Sequence, residues 1–209
     1  VWDDGSDQDG IRPKEVRVNL YGDGALLETV SLNQENSWTY QWDELPVNDQ
    51  GKTINYTLTE ETVDQYKTKI SDLTYDEEKN VFVFTVTNIH TPDVTSKSVS
   101  KVWNDNNNQD GIRTDEIRVQ LLADGIAYRK EIILNEENNW TYTWDQLPVN
   151  KNEGTGSEKI VYTIREIGEI EGYTTSYEEL SNEAGFVIIN THETEKISKT
   201  LVKLWDDNK

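Results

Sequence analysis

Apolar side chains along this chain recur at every second position in short runs, and the runs are rich in β-branched and aromatic residues. Val16, Val18 and Leu20 share one face, Trp38, Tyr40 and Trp42 another, Ile54, Tyr56 and Leu58 a third, and Phe82, Phe84 and Val86 a fourth. A period of two belongs to half-buried strands, and no stretch holds the 3.6-residue period of an amphipathic helix. Gly, Asn, Asp and Pro separate the runs, so the pattern predicts short strands joined by turns.

The chain also repeats itself, which bears on architecture before any local reading does. Val1-Trp-Asp-Asp4 returns as Val102-Trp-Asn-Asp105, and Gln8-Asp-Gly-Ile-Arg12 returns as Gln109-Asp-Gly-Ile-Arg113, both 101 positions on. Trp38-Thr-Tyr-Gln-Trp-Asp-Glu-Leu-Pro-Val-Asn48 matches Trp140-Thr-Tyr-Thr-Trp-Asp-Gln-Leu-Pro-Val-Asn150. Leu204-Trp-Asp-Asp207 starts the motif a third time. The expected organisation is therefore one domain over 1–94, a second over 95–195, and the first strand of a third repeat over 196–209. Each copy fits a small antiparallel β-sandwich of prealbumin-like or immunoglobulin-like shape, giving an all-β tandem array. Lys151–Glu158 is longer than its counterpart Asp49–Lys52 and reads as a variable polar loop.

Strand alternation places three polar side chains on apolar faces. Ile160, Tyr162 and Ile164 lead to Glu166; Phe186 and Ile188 lead to Asn190; Val99 and Trp103 flank Lys101. The first copy repeats two of these, Glu60 after Leu58 and Asn88 after Val86, while its lysine position would precede Val1. Such residues at strand ends can simply face water at the rim. If they point inward, burial favours a neutral, nucleophilic lysine and a protonated glutamic acid. A neutral amine beside an asparagine carbonyl can attack it, and the acid can polarise the carbonyl and carry protons until ammonia departs. That reaction consumes its own reactants, so it makes a cross-link and is not enzymatic turnover.

Lys101-Val-Trp-Asn-Asp105, Gln-Asp-Gly-Ile-Arg, Trp-Thr-Tyr with Leu-Pro, Tyr162-Thr-Ile-Arg-Glu166 and Asn190-Thr-His192, in this order in both copies, resemble the collagen-adhesin B-type (Cna-B) domains of Gram-positive surface proteins. The resemblance implies a prealbumin-like sandwich with a spontaneous Lys–Asn isopeptide bond. It implies a secreted, cell-wall-anchored setting and a stalk or spacer role in an adhesin or pilin. Carried over residue by residue, it makes Lys101 and Asn190 the bonded pair and Glu166 the assisting acid, with Glu60 and Asn88 as their partial counterparts. For the first copy three alternatives stand: Asn88 stays an ordinary amide, the lysine lies before Val1, or Lys203 of a neighbouring molecule completes the site.

Composition narrows the partners. Forty acidic against twenty basic side chains give a net charge of -20, which repels phosphate backbones and anionic membranes. No run of about twenty apolar residues suggests membrane insertion, and cysteine is absent, so no disulfide or thiolate chemistry is available. The expected partners are neighbouring repeats of the same chain and an unidentified host ligand, with no cofactor. The loops Asp3–Gly10 and Asn104–Gly111 invite comparison with a calcium loop, but the end-ligand positions fall on Gly5 and Val16. A turn rich in Asp and Asn accounts for them, and no metal is expected. His90 and His192 lack companions at metal-ligand spacing and suit a packing or turn role. The alternative to a stalk is a binding module whose loops contact a host protein or glycan.

Overall fold

A computed structural model describes residues 1–78, 81–152, 156–181 and 184–206. The chain divides into two compact units, Val1–Val94 with Pro148–Ile160, and Thr95–Leu147 with Val161–Lys209. In chain order, the first repeat contributes β1 (Trp2–Asp3), β2 (Glu15–Gly22), β3 (Ala25–Asn33), β4 (Asn48–Asp49) and β5 (Lys52–Thr53). It continues with β6 (Tyr56–Glu60), β7 (Lys67–Ile70), β8 (Thr74–Asp76), β9 (Val81–Val83) and β10 (Val86–Ile89). The remaining strands are β11 (Val94–Asn104), β12 (Glu116–Ala123), β13 (Ile126–Asn135), β14 (Thr141–Pro148), β15 (Asn150–Asn152), β16 (Ser157–Lys159), β17 (Tyr162–Ile167), β18 (Thr174–Glu179) and β19 (Gly185–Thr191).

The second unit is a β-sandwich of a four-stranded sheet, ordered β14-β11-β19-β18, and a three-stranded sheet, ordered β13-β12-β17. Its core follows from alternation. Ile117, Val119 and Leu121 of β12 are buried, as are Tyr162 and Ile164 of β17 and Phe186 and Ile188 of β19, while the residues between them face outward or lie at the margin, except Gln120, which is buried and donates to the Leu121 and Tyr128 carbonyls. Pairing is antiparallel except between the first strand and the last. β11 lies parallel to β19, with Lys101 opposite Ile188 and Trp103 opposite Asn190. The β12–β13 hairpin turns through Asp124-Gly125 with both φ angles positive, the backbone a two-residue type I′ turn needs and glycine supplies without strain.

The first unit repeats the plan with sheets ordered β3-β2-β6 and β1-β10-β7, and Val16, Val18 and Leu20 are buried as expected. Two runs expected as strands behave differently here. No strand forms over Trp38–Trp42, although the equivalent Thr141–Pro148 is β14, and Tyr40 packs edge-on against Trp42 with ring centroids 5.2 Å apart. The run from Phe82 to Asn88 breaks into β9 and β10, and Phe82 turns outward to 69% exposure against Tyr75. In the second unit β14 and β19 pair with the long strand β11, while in the first unit β9 pairs with β8.

The expected loop Lys151–Glu158 is flanked by the paired strands β15 and β16, and Glu153–Thr155 lie outside the described residues. Residues 196–206, expected to open a third repeat, pair with no strand among the described residues, and 207–209 lie outside them. No helix among the described residues is long and apolar enough to cross a membrane.

Candidate cross-linking site

Both inward-facing acid–amide pairs meet across their sandwiches. In the second unit Asn190, fully buried on β19, donates from Nδ2 to Glu166 Oε1 at 3.0 Å, and Glu166 is 7% exposed on β17 of the opposite sheet. In the first unit Asn88 of β10 donates to Glu60 Oε1 of β6 at 2.9 Å. These residues point inward because each occupies the register its apolar neighbours occupy, so the rim reading fails for Glu166 and Asn190. Lys101 is also buried, two register positions from Asn190 on the neighbouring parallel strand.

Burial pushes the Lys101 pKa down to about 8, against the opposing pull of the Glu166 and Asp105 carboxylates. Its ammonium has an aromatic bed, since Nζ lies 4.1 Å from the centroid of Trp103, and it donates to the carbonyl of Val102 at 3.1 Å. A lysine in this environment reaches its neutral, nucleophilic form far more readily than an exposed one. Glu166 Oε2 and Asn190 Oδ1 are buried without a hydrogen-bond partner among the described residues. Lys203, which in a neighbouring molecule is the candidate for completing the first copy, lies over the ring of Trp205 in the segment after β19.

A second repeated cluster closes the Asx-rich loops, and its parts were not anticipated. Asp105 is buried and accepts from Arg113 Nε at 2.9 Å and Nη2 at 2.6 Å, from the backbone N–H of Asn108 at 2.9 Å, and from Tyr173 Oη at 2.8 Å. Arg113 holds the Asp105 carboxyl well below the usual range, outweighing burial, and Tyr173 is pushed up to about 12 by burial and by Asp105. Asp4 does the same with Arg12, the Asp7 N–H and Tyr66. Trp103 is edge-packed by Trp140 and Tyr173, as Trp2 is by Trp38 and Tyr66. The available signal was an Asp and an Arg eight residues apart in both copies.

The histidines close the same ends. His192 Nε2 lies 2.9 Å from Asp110 Oδ2 with Nδ1 2.7 Å from the Gly172 carbonyl, and His90 similarly bridges Asp9 at 2.8 Å and the Gln65 carbonyl at 3.1 Å. With acceptors facing both ring nitrogens, the imidazolium is favoured, and the carboxylate partner raises the pKa of each.

Known proteins show the same sequence organisation. The Cna protein B-type domain family matches residues 1–89 and again 97–191. A collagen adhesin of Staphylococcus aureus is 42% identical over 208 residues, covering 99% of this chain, and the chain spans 16% of that protein's length. The crystal structure of a single B repeat unit of the S. aureus collagen-binding surface protein is 41% identical, with 93% of this chain and 95% of that one covered and a TM-score of 0.44. A structure of two such repeat units is 40% identical over 92% of this chain and 48% of that one, with a TM-score of 0.44. Two family matches that together span most of the chain make it a member of the Cna protein B-type domain family.

Proposed function

We propose that this chain is a stalk or spacer segment of a cell-wall-anchored Gram-positive adhesin or pilin, stabilised by an isopeptide bond that Lys101 and Asn190 form spontaneously with Glu166 assisting. The observation that carries the reading is the buried Asn190–Glu166 contact, two register positions from a lysine whose pKa burial has lowered. Lys101 Nζ attacks Asn190 Cγ, the Cγ–Nδ2 bond breaks, ammonia leaves, and a secondary amide remains. The reaction turns over once, so it builds the protein and does not process a substrate.

The strand geometry gives the bond a mechanical purpose. Because β11 and β19 run parallel, tension applied at the two ends of their ladder shears its rungs along the strand direction. A covalent link between the two strands would carry that load without the ladder slipping. By analogy with a disulfide closing a loop of this size, it also contributes roughly 4–5 kcal/mol through the unfolded state. Family membership supports placing such a module on a bacterial surface. The loop-binding alternative gains nothing from the Asx-rich loops, whose Asp4, Asp9, Asp105 and Asp110 carboxylates are engaged by donors within the fold.

The test is the intact mass of the denatured protein beside Lys101→Ala and Asn190→Ala, each corrected for its substitution. A deficit of one ammonia in the parent and in neither variant is expected. A parent of full unreacted mass would overturn the reading.

A further inference from the structure

The two copies differ at the atoms around the acid. In the first unit the hydroxyl of Thr68 lies 2.5 Å from Glu60 Oε2 and 3.2 Å from Asn88 Oδ1, while Asn88 Nδ2 reaches Glu60 Oε1. Three groups thus form a ring with three contacts. Each contact needs one proton, the amide supplies one and the hydroxyl another, so the third must come from the carboxyl. The ring closes completely only around a carboxylic acid, and this count is the same whichever way the asparagine amide is turned.

Thr175 occupies the same place in the second unit. It is the cross-strand partner of Asn190, as Thr68 is of Asn88, so its side chain belongs to the same face of the sheet. Thr175 and Glu166 both line a cleft of about 640 Å³ beside β18. The two buried atoms left without partners here, Glu166 Oε2 and Asn190 Oδ1, are the counterparts of the two that Thr68 engages. Thr175 is exposed where Thr68 is half-buried, and its hydroxyl bonds neither atom in this structure, so the relay requires its side chain to turn inward.

We infer that Thr175 is a proton-relay residue of the cross-linking reaction, passing a proton between Glu166 and the carbonyl oxygen of Asn190, and that Thr68 shows the relay assembled. The inference rests on the isopeptide reading. When neutral Lys101 Nζ bonds to Cγ, the developing charge on Oδ1 takes the Thr175 hydroxyl proton, and Thr175 takes one from Glu166 Oε2. Glu166 then accepts the surplus proton of the attacking nitrogen at Oε1 and delivers it to Nδ2. As the Cγ–Nδ2 bond breaks and ammonia leaves, the proton on Oδ1 returns through Thr175 to Glu166. Acid and hydroxyl end as they began, and the lysine amide keeps one hydrogen.

The full chain is synthesised in a cell-free pulse, quenched into denaturant at intervals, and weighed intact. Thr175→Val and Thr175→Ala should lose ammonia about a hundredfold more slowly than the parent, at the low end of what a positioned proton-transfer group contributes, while Thr175→Ser restores the rate. The near-ultraviolet circular dichroism of the tryptophan cluster should stay unchanged in all three. A hydroxyl that merely supported the fold would not give this separation of rate from spectrum. Parent-like rates in Thr175→Val and Thr175→Ala, with the ammonia deficit present in the parent, would overturn the relay and leave the isopeptide reading standing. A parent with no deficit would remove both. If the Thr175 variants lose the tryptophan signature, Thr68→Val decides: the side-chain amide resonances of Asn88 should shift, and unmoved resonances would overturn the ring on which the relay is built.

Discussion

Arg113→Ala should destabilise the second unit severely, because Asp105 would keep its charge inside the protein and lose the cation that hydrogen-bonds it. The Asp105 carboxylate is 1% exposed and takes four hydrogen bonds, two of them from Arg113. Breaking a buried pair from one side costs about 3–5 kcal/mol. Arg113 keeps 25% of its side chain in water, and solvent can partly replace it, so the low end, about 3 kcal/mol, is expected. For a domain of this size that corresponds to roughly 12–24 °C in melting temperature. Differential scanning calorimetry gives the shift, and its pH dependence gives the mechanism. A carboxyl held below its unfolded value of about 3.9 adds stability above that pH and loses it as pH falls towards the folded value. The gap between parent and variant should therefore be full at neutral pH and narrow below about pH 4. A loss under about 1 kcal/mol, or a gap that ignores pH, would show that the pair behaves as an exposed one and refute the argument.

Three further outcomes follow from the same contacts. Tyr173→Phe removes one charge-assisted donor to Asp105 and should cost about 1.5–3 kcal/mol by urea denaturation, with an unchanged midpoint counting against it. Gly185→Ala would drive a methyl group into the backbone carbonyl and hydroxyl of Ser98 across the β11–β19 ladder, so the urea midpoint should fall by the equivalent of about 1–3 kcal/mol, and an unaltered midpoint would show that the strands can part freely. The raised pKa of His90 means that its contribution is complete below the unfolded value of about 6.5 and disappears as pH rises through the folded value. The first unit should accordingly lose stability towards alkaline pH, His90→Gln should flatten that part of the profile, and a parent with no such slope would contradict the assignment.

Much of the site was legible in the chain because period two leaves little freedom. Once Tyr162 and Ile164 face the core, Glu166 must too, and Asn190 follows Phe186 and Ile188 in the same way. What alternation cannot convey is pairing. Phe82 fits its run by period yet faces water, packed against Tyr75 of the paired strand β8. The Asp105–Arg113–Tyr173 cluster was hidden differently, since its members look like loop residues until the turn closes and brings a tyrosine 68 positions away onto the carboxylate. Thr68 was invisible altogether. A threonine on a strand is unremarked until its cross-strand partner is known.

The clamp and the cross-linking site share Trp103, which is why the loop motif and the lysine belong to one functional unit. The ring has Lys101 Nζ 4.1 Å from its centroid and Arg113 Cζ 5.5 Å from it, while Trp140 and Tyr173 hold its edges. Arg113 can sit close to an ammonium only because Asp105 neutralises it, and it is one of the charges that lower the Lys101 pKa. Burial does most of that lowering, and burial depends on the aromatic wall staying in place. The Asp–Arg pair therefore acts on the lysine by bracing the wall that excludes water, while its two charges oppose one another there, Asp105 raising the Lys101 pKa and Arg113 lowering it. The first unit retains the same pair on Trp2, together with its own acid, amide and bridging hydroxyl.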